Sequence, residues 1–140
     1  MRISPKEAGD KLAEGFTYVD VRTTQEFEAG HPAGAVNVPL NLATGGRMAQ
    51  NPDFLSVMNA AFGKDAKIIV GCKSGGRSLR AAQMLLADGF TQVVDQRAGW
   101  DGAMGPFGNV AEPGWSRVGL PSEDGQPGGR SWEDMKKRSR

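Results

Sequence analysis

Cysteine, histidine and tyrosine each occur once in this 140-residue chain, as Cys72, His31 and Tyr18. A lone cysteine forms no internal disulfide, and such usage fits a reducing compartment. No apolar run approaches the roughly 20 residues of a membrane-spanning helix. The start, Met1-Arg2-Ile3-Ser4-Pro5, lacks the apolar stretch of a secretory signal, so the reading is cytoplasmic. An excess of one charge is also missing: 17 Lys and Arg face 16 Asp and Glu, for a net +1. Neither nucleic acid nor a membrane surface is expected as a partner. Internal repeats are absent.

Glycine is plentiful, with 20 residues concentrated at turns and in the last third. Hydrophobic content of 39% and charged content of 24% are globular values. The length suits one domain that buries a core without staples. Residues 1–121 are expected to form it, and 122–140 to be a Gly/Pro/Ser-rich linker with a flexible basic tail, in which Ser131 caps one short helix to Arg140.

Ser4-Pro5 reads as an N-cap with proline at the first helical position, opening a helix to about Glu14. Phe16 to Val21 is β-branched and aromatic, as in a strand. Thr23 and Glu26 form a capping box for a short helix ending at Gly30. Ala35 to Val38 reads as a short strand, 43–47 as a glycine-containing loop, and Pro52 to Phe62 as a helix. Ile68 to Val70 is the continuous apolar run of a parallel-sheet strand. Leu79, Ala82, Leu85 and Leu86 mark the apolar face of the next helix. Gln92 to Asp95 is the last clear strand. Strands alternating with helices give an α/β fold with a parallel sheet and right-handed crossovers. Residues 98–121 read as a long ordered loop with no regular element, packed by Trp100, Phe107 and Trp115 as a mini-core.

Between the central strand and its helix stands Cys72-Lys73-Ser74-Gly75-Gly76-Arg77-Ser78. The turn falls at the carboxyl edge of the sheet, where open α/β sheets bind ligands. Gly75 and Gly76 let successive amides point inward as an anion-binding nest, and the helix start adds positive potential. Lys73 and Arg77 contribute cations, and Ser74 and Ser78 hydroxyls, although Ser78 also suits a helix cap. Such surroundings favour a thiolate, the nucleophilic form of cysteine. Asp20, which ends a buried strand, reads as a structural residue with a hydrogen bond or ion pair of its own, and Arg22 as a source of positive potential supporting the site. His31 lies in a turn and is not expected to act as a general base.

Cys72 with Arg77-Ser78, together with Tyr18-Val19-Asp20-Val21-Arg22, Glu26-Phe27, Gly30-His31 and Gly34 to Pro39, resembles the single-domain rhodanese family. The resemblance spans roughly residues 1–100, with an echo at Gly119-Leu120-Pro121. It implies a three-layer fold with a five-stranded parallel sheet flanked by helices. It also implies thiosulfate sulfurtransferase chemistry: Cys72 takes sulfane sulfur from a small donor, becomes a persulfide, and yields the sulfur to cyanide, a thiol or a protein acceptor. Neither metal nor other cofactor is implied, and a monomer is expected. Two alternatives stand beside this reading, a persulfide-carrier module with little thiosulfate turnover and an arsenate reductase or phosphatase. The latter use a loop one residue longer than the four residues separating Cys72 from Arg77, and phosphatases usually place histidine where this chain has Gly71. The chain departs from the family in its Gly/Pro-rich insertion between Trp100 and Gly119, which, if folded over the Cys72 loop, would narrow access or shape acceptor choice.

Overall fold

The computed structural model describes residues 1–44 and 46–138. In chain order the elements are β1 (Arg2–Ile3), α1 (Pro5–Ala13), β2 (Thr17–Asp20), α2 (Thr24–Ala29), β3 (His31–Pro32), β4 (Val36–Asn37), β5 (Asn41–Thr44), β6 (Arg47–Gln50) and α3 (Phe54–Ala61). There follow β7 (Lys67–Gly71), α4 (Gly76–Ala87), β8 (Gln92–Gln96), β9 (Gly102–Met104), β10 (Val110–Pro113), a 3-10 turn (Trp115–Arg117), β11 (Ser122–Glu123) and α5 (Trp132–Arg138). The main sheet has five strands in the order β1-β8-β7-β2-β4. Every pairing in it is parallel, with Val19 opposite Val70 and Val70 opposite Asp95.

Side chains alternate between the two faces of a strand. Ile68, Val70 and Cys72 therefore share one face with Val19, Val21 and Val93, packed under α3 and α4 with Phe54, Met58 and Leu85. Tyr18 and Ile69 face the opposite core with Ile3, Ala8, Phe27 and Trp115. The two capping boxes form as expected: Ser4 with Glu7 opens α1, and Thr23 with Glu26 opens α2. The face of α4 is rotated from the expected one. Ser78, Ala81, Ala82 and Leu85 are its buried positions, and Leu86 is 44% exposed.

Three expectations are corrected by the structure. Residues 122–138 are no linker and loose tail: β11 pairs with β3, and Trp132 and Met135 of α5 lie in the core beside α3. Glycine and basic residues dominate the composition there, but one apolar pair at i, i+3 is enough to anchor a helix. Of that stretch, residues 139 and 140 lie outside the described residues. Residues 98–121 hold regular structure, an antiparallel β9–β10 hairpin and the 3-10 turn. Trp115 is buried edge-on to Tyr18, whereas Phe107 is 94% exposed and joins no mini-core. The expected loop at 43–47 belongs to a second hairpin, β5–β6, with residue 45 outside the described residues. The edge strand β1 carried no sequence signal, because a two-residue strand shows no periodicity.

Candidate active site

Cys72 follows β7, between its neighbours β2 and β8, at the carboxyl edge of the sheet. The residue before it has no room for a side chain. A Cβ at Gly71 would lie 1.8 Å from the Tyr18 hydroxyl oxygen. The histidine that phosphatases carry there is thus excluded by a buried tyrosine. Burial, with Asp20 adding to it, pushes the Tyr18 phenol up, and the hydroxyl accepts a hydrogen bond from Gln96 Nε2 at 3.2 Å.

The loop is braced by the segment that follows β8. Trp100 N–H donates to the Cys72 carbonyl at 2.7 Å, and Asp101 N–H to the Lys73 carbonyl at 2.9 Å. Gly75, the N-cap of α4, has φ of 105°, and a Cβ there would meet the Arg97 carbonyl oxygen at 2.3 Å. Only glycine takes this conformation without strain. It turns the Gly75 N–H onto Cys72 Sγ at 3.1 Å. Gly75, not Ser78, caps the helix.

Ser78 is fully buried and faces the sulfur. The Cys72 thiol donates to Ser78 Oγ at 3.5 Å, and Ser78 Oγ donates to Asp95 Oδ1 at 2.5 Å. Arg2 holds the other Asp95 oxygen through Nε at 2.6 Å and the Gly75 carbonyl through Nη2 at 2.8 Å. A hydroxyl has one hydrogen. With that hydrogen on Asp95, Ser78 presents a lone pair to Cys72. The chain Cys72–Ser78–Asp95–Arg2 links the sulfur to the edge strand and returns to the loop backbone. Asp95 and Arg2 carry no mark of this role in the sequence. The one ends an ordinary strand and the other stands at the start of the chain.

Around the sulfur, each cation has a carboxylate. Arg77 closes both terminal nitrogens on Glu26, at 2.7 and 2.9 Å. Glu26 Oε1 also accepts from the Thr23 N–H at 3.1 Å and from its hydroxyl at 3.0 Å. Burial alone would raise the Glu26 carboxyl, but the Arg77 and Thr23 hydrogen bonds outweigh it and bring it down to about 2. Arg22 pairs with Asp20 at 2.7 Å, donates to the Gly30 carbonyl at 2.6 Å, and lies 5.2 Å from the Trp100 ring centroid. Lys73 is 58% exposed and stands 3.9 Å from Asp101. Ser74 and Gly76 are exposed beside it.

Of the residues expected in the site, Cys72, Gly75 and Ser78 converge on the sulfur. Lys73, Ser74 and Gly76 lie on the exposed side of the loop, and Arg77 is held by α2. Asp20 and Arg22 form the buried pair behind it. Glu26 reads locally as a helix cap, and its place in the site is not legible there, because nothing local marks a partner 51 residues away. His31 is committed elsewhere. It stacks on Phe27 at 3.6 Å, and its nitrogens contact the Phe27 carbonyl at 2.6 Å and Glu123 at 3.0 Å.

The Rhodanese-like domain family matches residues 4–104. Thiosulfate sulfurtransferase 16, chloroplastic, of Arabidopsis thaliana is 41% identical over 121 residues, covering 86% of this chain and 91% of that protein. The senescence-associated protein DIN1 of Raphanus sativus is 44% identical over 97 residues, 69% of this chain, and the chain spans 53% of its length. The crystal structure of Rv0390 from M. tuberculosis superposes with a TM-score of 0.73 at 28% identity, covering 89% of this chain and 97% of that one.

Proposed function

The chain belongs to the rhodanese-like domain family, and from that premise we propose that it is a sulfurtransferase carrying sulfane sulfur as a persulfide on Cys72. The observation that carries the reading is the sulfur's setting, recessed in the loop and facing the Gly75 N–H. In the first half-reaction the Cys72 thiolate attacks the outer sulfur of a donor such as thiosulfate. A sulfur–sulfur bond forms, the donor's sulfur–sulfur bond breaks, and sulfite leaves with the electron pair. In the second, an acceptor nucleophile, cyanide or a thiol, takes the outer sulfur and restores the thiolate. One covalent intermediate shared by two half-reactions gives ping-pong kinetics. The persulfide anion occupies the mouth of the same loop, near the start of α4, where amides and the helix dipole favour negative charge.

The test is mass spectrometry of the intact protein. Thiosulfate is expected to add the mass of one sulfur atom, cyanide to remove it, and Cys72→Ser to abolish both. Unchanged mass with thiosulfate and with every other sulfane-sulfur donor would overturn the reading.

A further inference from the structure

The pairing of Arg77 bears on which donors the site takes. An anionic donor approaching Cys72 needs free positive charge at the mouth of the loop. Arg77 is the loop's arginine, yet both its terminal nitrogens are engaged by the Glu26 carboxylate, which cancels its charge. Glu26 cannot follow a departing Arg77, because the Thr23 backbone N–H and hydroxyl both hold Oε1. The other cations offer little in compensation. Arg22 is tied to Asp20, Arg2 to Asp95, and Lys73 is solvated near Asp101. Four cations thus stand against four carboxylates, and the side chains around the loop carry no net formal charge, which leaves the loop amides and the start of α4 as the positive potential there.

We propose that Glu26 is a specificity-determining residue: its clamp on Arg77 biases Cys72 towards weakly charged sulfane-sulfur donors, such as persulfides and thiosulfonates, over the thiosulfate dianion. The donor part rests on the sulfurtransferase reading, and the charge gate does not. A doubly charged donor has to open the Arg77–Glu26 pair or bear its carboxylate at close range. A singly charged or neutral donor meets less of that repulsion. The transfer step is the same for both. With methanethiosulfonate the Cys72 thiolate takes the terminal sulfur, and methanesulfinate leaves with the electron pair in place of sulfite.

The variant to make is Glu26→Gln, since glutamine serves the third position of a capping box and keeps the start of α2. Glu28→Gln is the matched control: it removes the same charge from the same helix, from a side chain that accepts from Gln126 whereas Arg77 is paired with Glu26. The first measurement needs no sulfur transfer. Alkylation of Cys72 by iodoacetate, an anion, is compared with alkylation by neutral iodoacetamide. Glu26→Gln is expected to raise the iodoacetate-to-iodoacetamide rate ratio about fivefold at low ionic strength, and salt to erode the gain. Glu28→Gln is expected to change it less than about twofold. An unchanged ratio in Glu26→Gln, or an equal rise in Glu28→Gln, overturns the gate. The second measurement is the rate of persulfide loading. Glu26→Gln is expected to raise thiosulfate loading relative to methanethiosulfonate by a similar factor, and a flat or falling preference overturns the donor assignment. If neither donor loads Cys72 while the alkylation ratio rises, the sulfurtransferase reading fails and the charge gate stands.

Discussion

Two glycine-rich stretches of this chain have opposite physical characters. Around Cys72 the backbone is gripped from outside, by the Tyr18 hydroxyl against Gly71, the Arg97 carbonyl and Arg2 guanidinium against Gly75, and the amides of Trp100 and Asp101 on the loop carbonyls. At the tip of the β9–β10 hairpin a Cβ at Gly108 would meet nothing within 4 Å, and Met104, Phe107 and Val110 are exposed. Glycine in the first case is demanded by close approach, and in the second by a turn in solvent. The lesson is that glycine content reports local freedom of the chain, whereas its purpose is decided by what the rest of the fold brings against it.

The comparison can be broken most forcefully at Gly71. Gly71→Ala places a methyl group on the buried Tyr18 ring and is expected to cost about 3 kcal/mol or more, read from urea unfolding. A loss below about 1 kcal/mol would mean that the loop is not gripped as described.

Next in size is the network behind the sulfur. Asp95→Asn removes the charge that holds Arg2 and leaves one acceptor oxygen where Arg2 and Ser78 use two. It is expected to cost about 2 kcal/mol, less than a fully buried pair because Arg2 is 40% exposed. A Ser78 hydroxyl released from Asp95 can turn its hydrogen to the sulfur in place of a lone pair, which favours the thiolate, so Cys72 alkylation and sulfur uptake are expected to quicken together. Ser78→Ala, which removes the lone pair without supplying a donor, should quicken alkylation less and cost less stability, whereas parent rates in both variants would show that the chain serves folding alone.

The Glu26–Arg77 pair gives a smaller effect with a definite sign. The Glu26 carboxyl falls from its ordinary 4.5 to about 2 in the folded protein. Its contribution is therefore complete above about pH 4.5 and is lost as pH falls towards 2, because the unfolded chain takes up the proton first. For a pair this exposed it amounts to about 1 kcal/mol after screening. Stability of Glu26→Gln should fall less steeply over that acid range than that of the parent chain. Parallel curves would show that the pair is not formed.

The smallest effect belongs to the hairpin tip. Phe107→Ser is expected to leave the unfolding midpoint within about 0.5 kcal/mol of the parent, since the ring packs on nothing. A larger loss would place the tip against the body of the protein. The insertion's root, by contrast, already touches the loop through Trp100 and Asp101.

Much of this protein follows from the sequence alone. Both capping boxes, the parallel strands around Ile68 to Val70, and the turn bearing Cys72 are local patterns, set by hydrogen bonds and side-chain periodicity within a few residues. Strand alternation extends to Cys72 itself, which lies on the face of Ile68 and Val70. What tertiary structure decided is how the site is held and charged. Arg2, Asp95 and Glu26 reach the loop from 73, 17 and 51 residues away, from Gly75, Ser78 and Arg77 respectively. Likewise Trp132 and Met135 turn an apparently loose tail into core. Burial and charge pairing act through space, and residues distant along the chain carry no local mark of the partner that folding will bring to them.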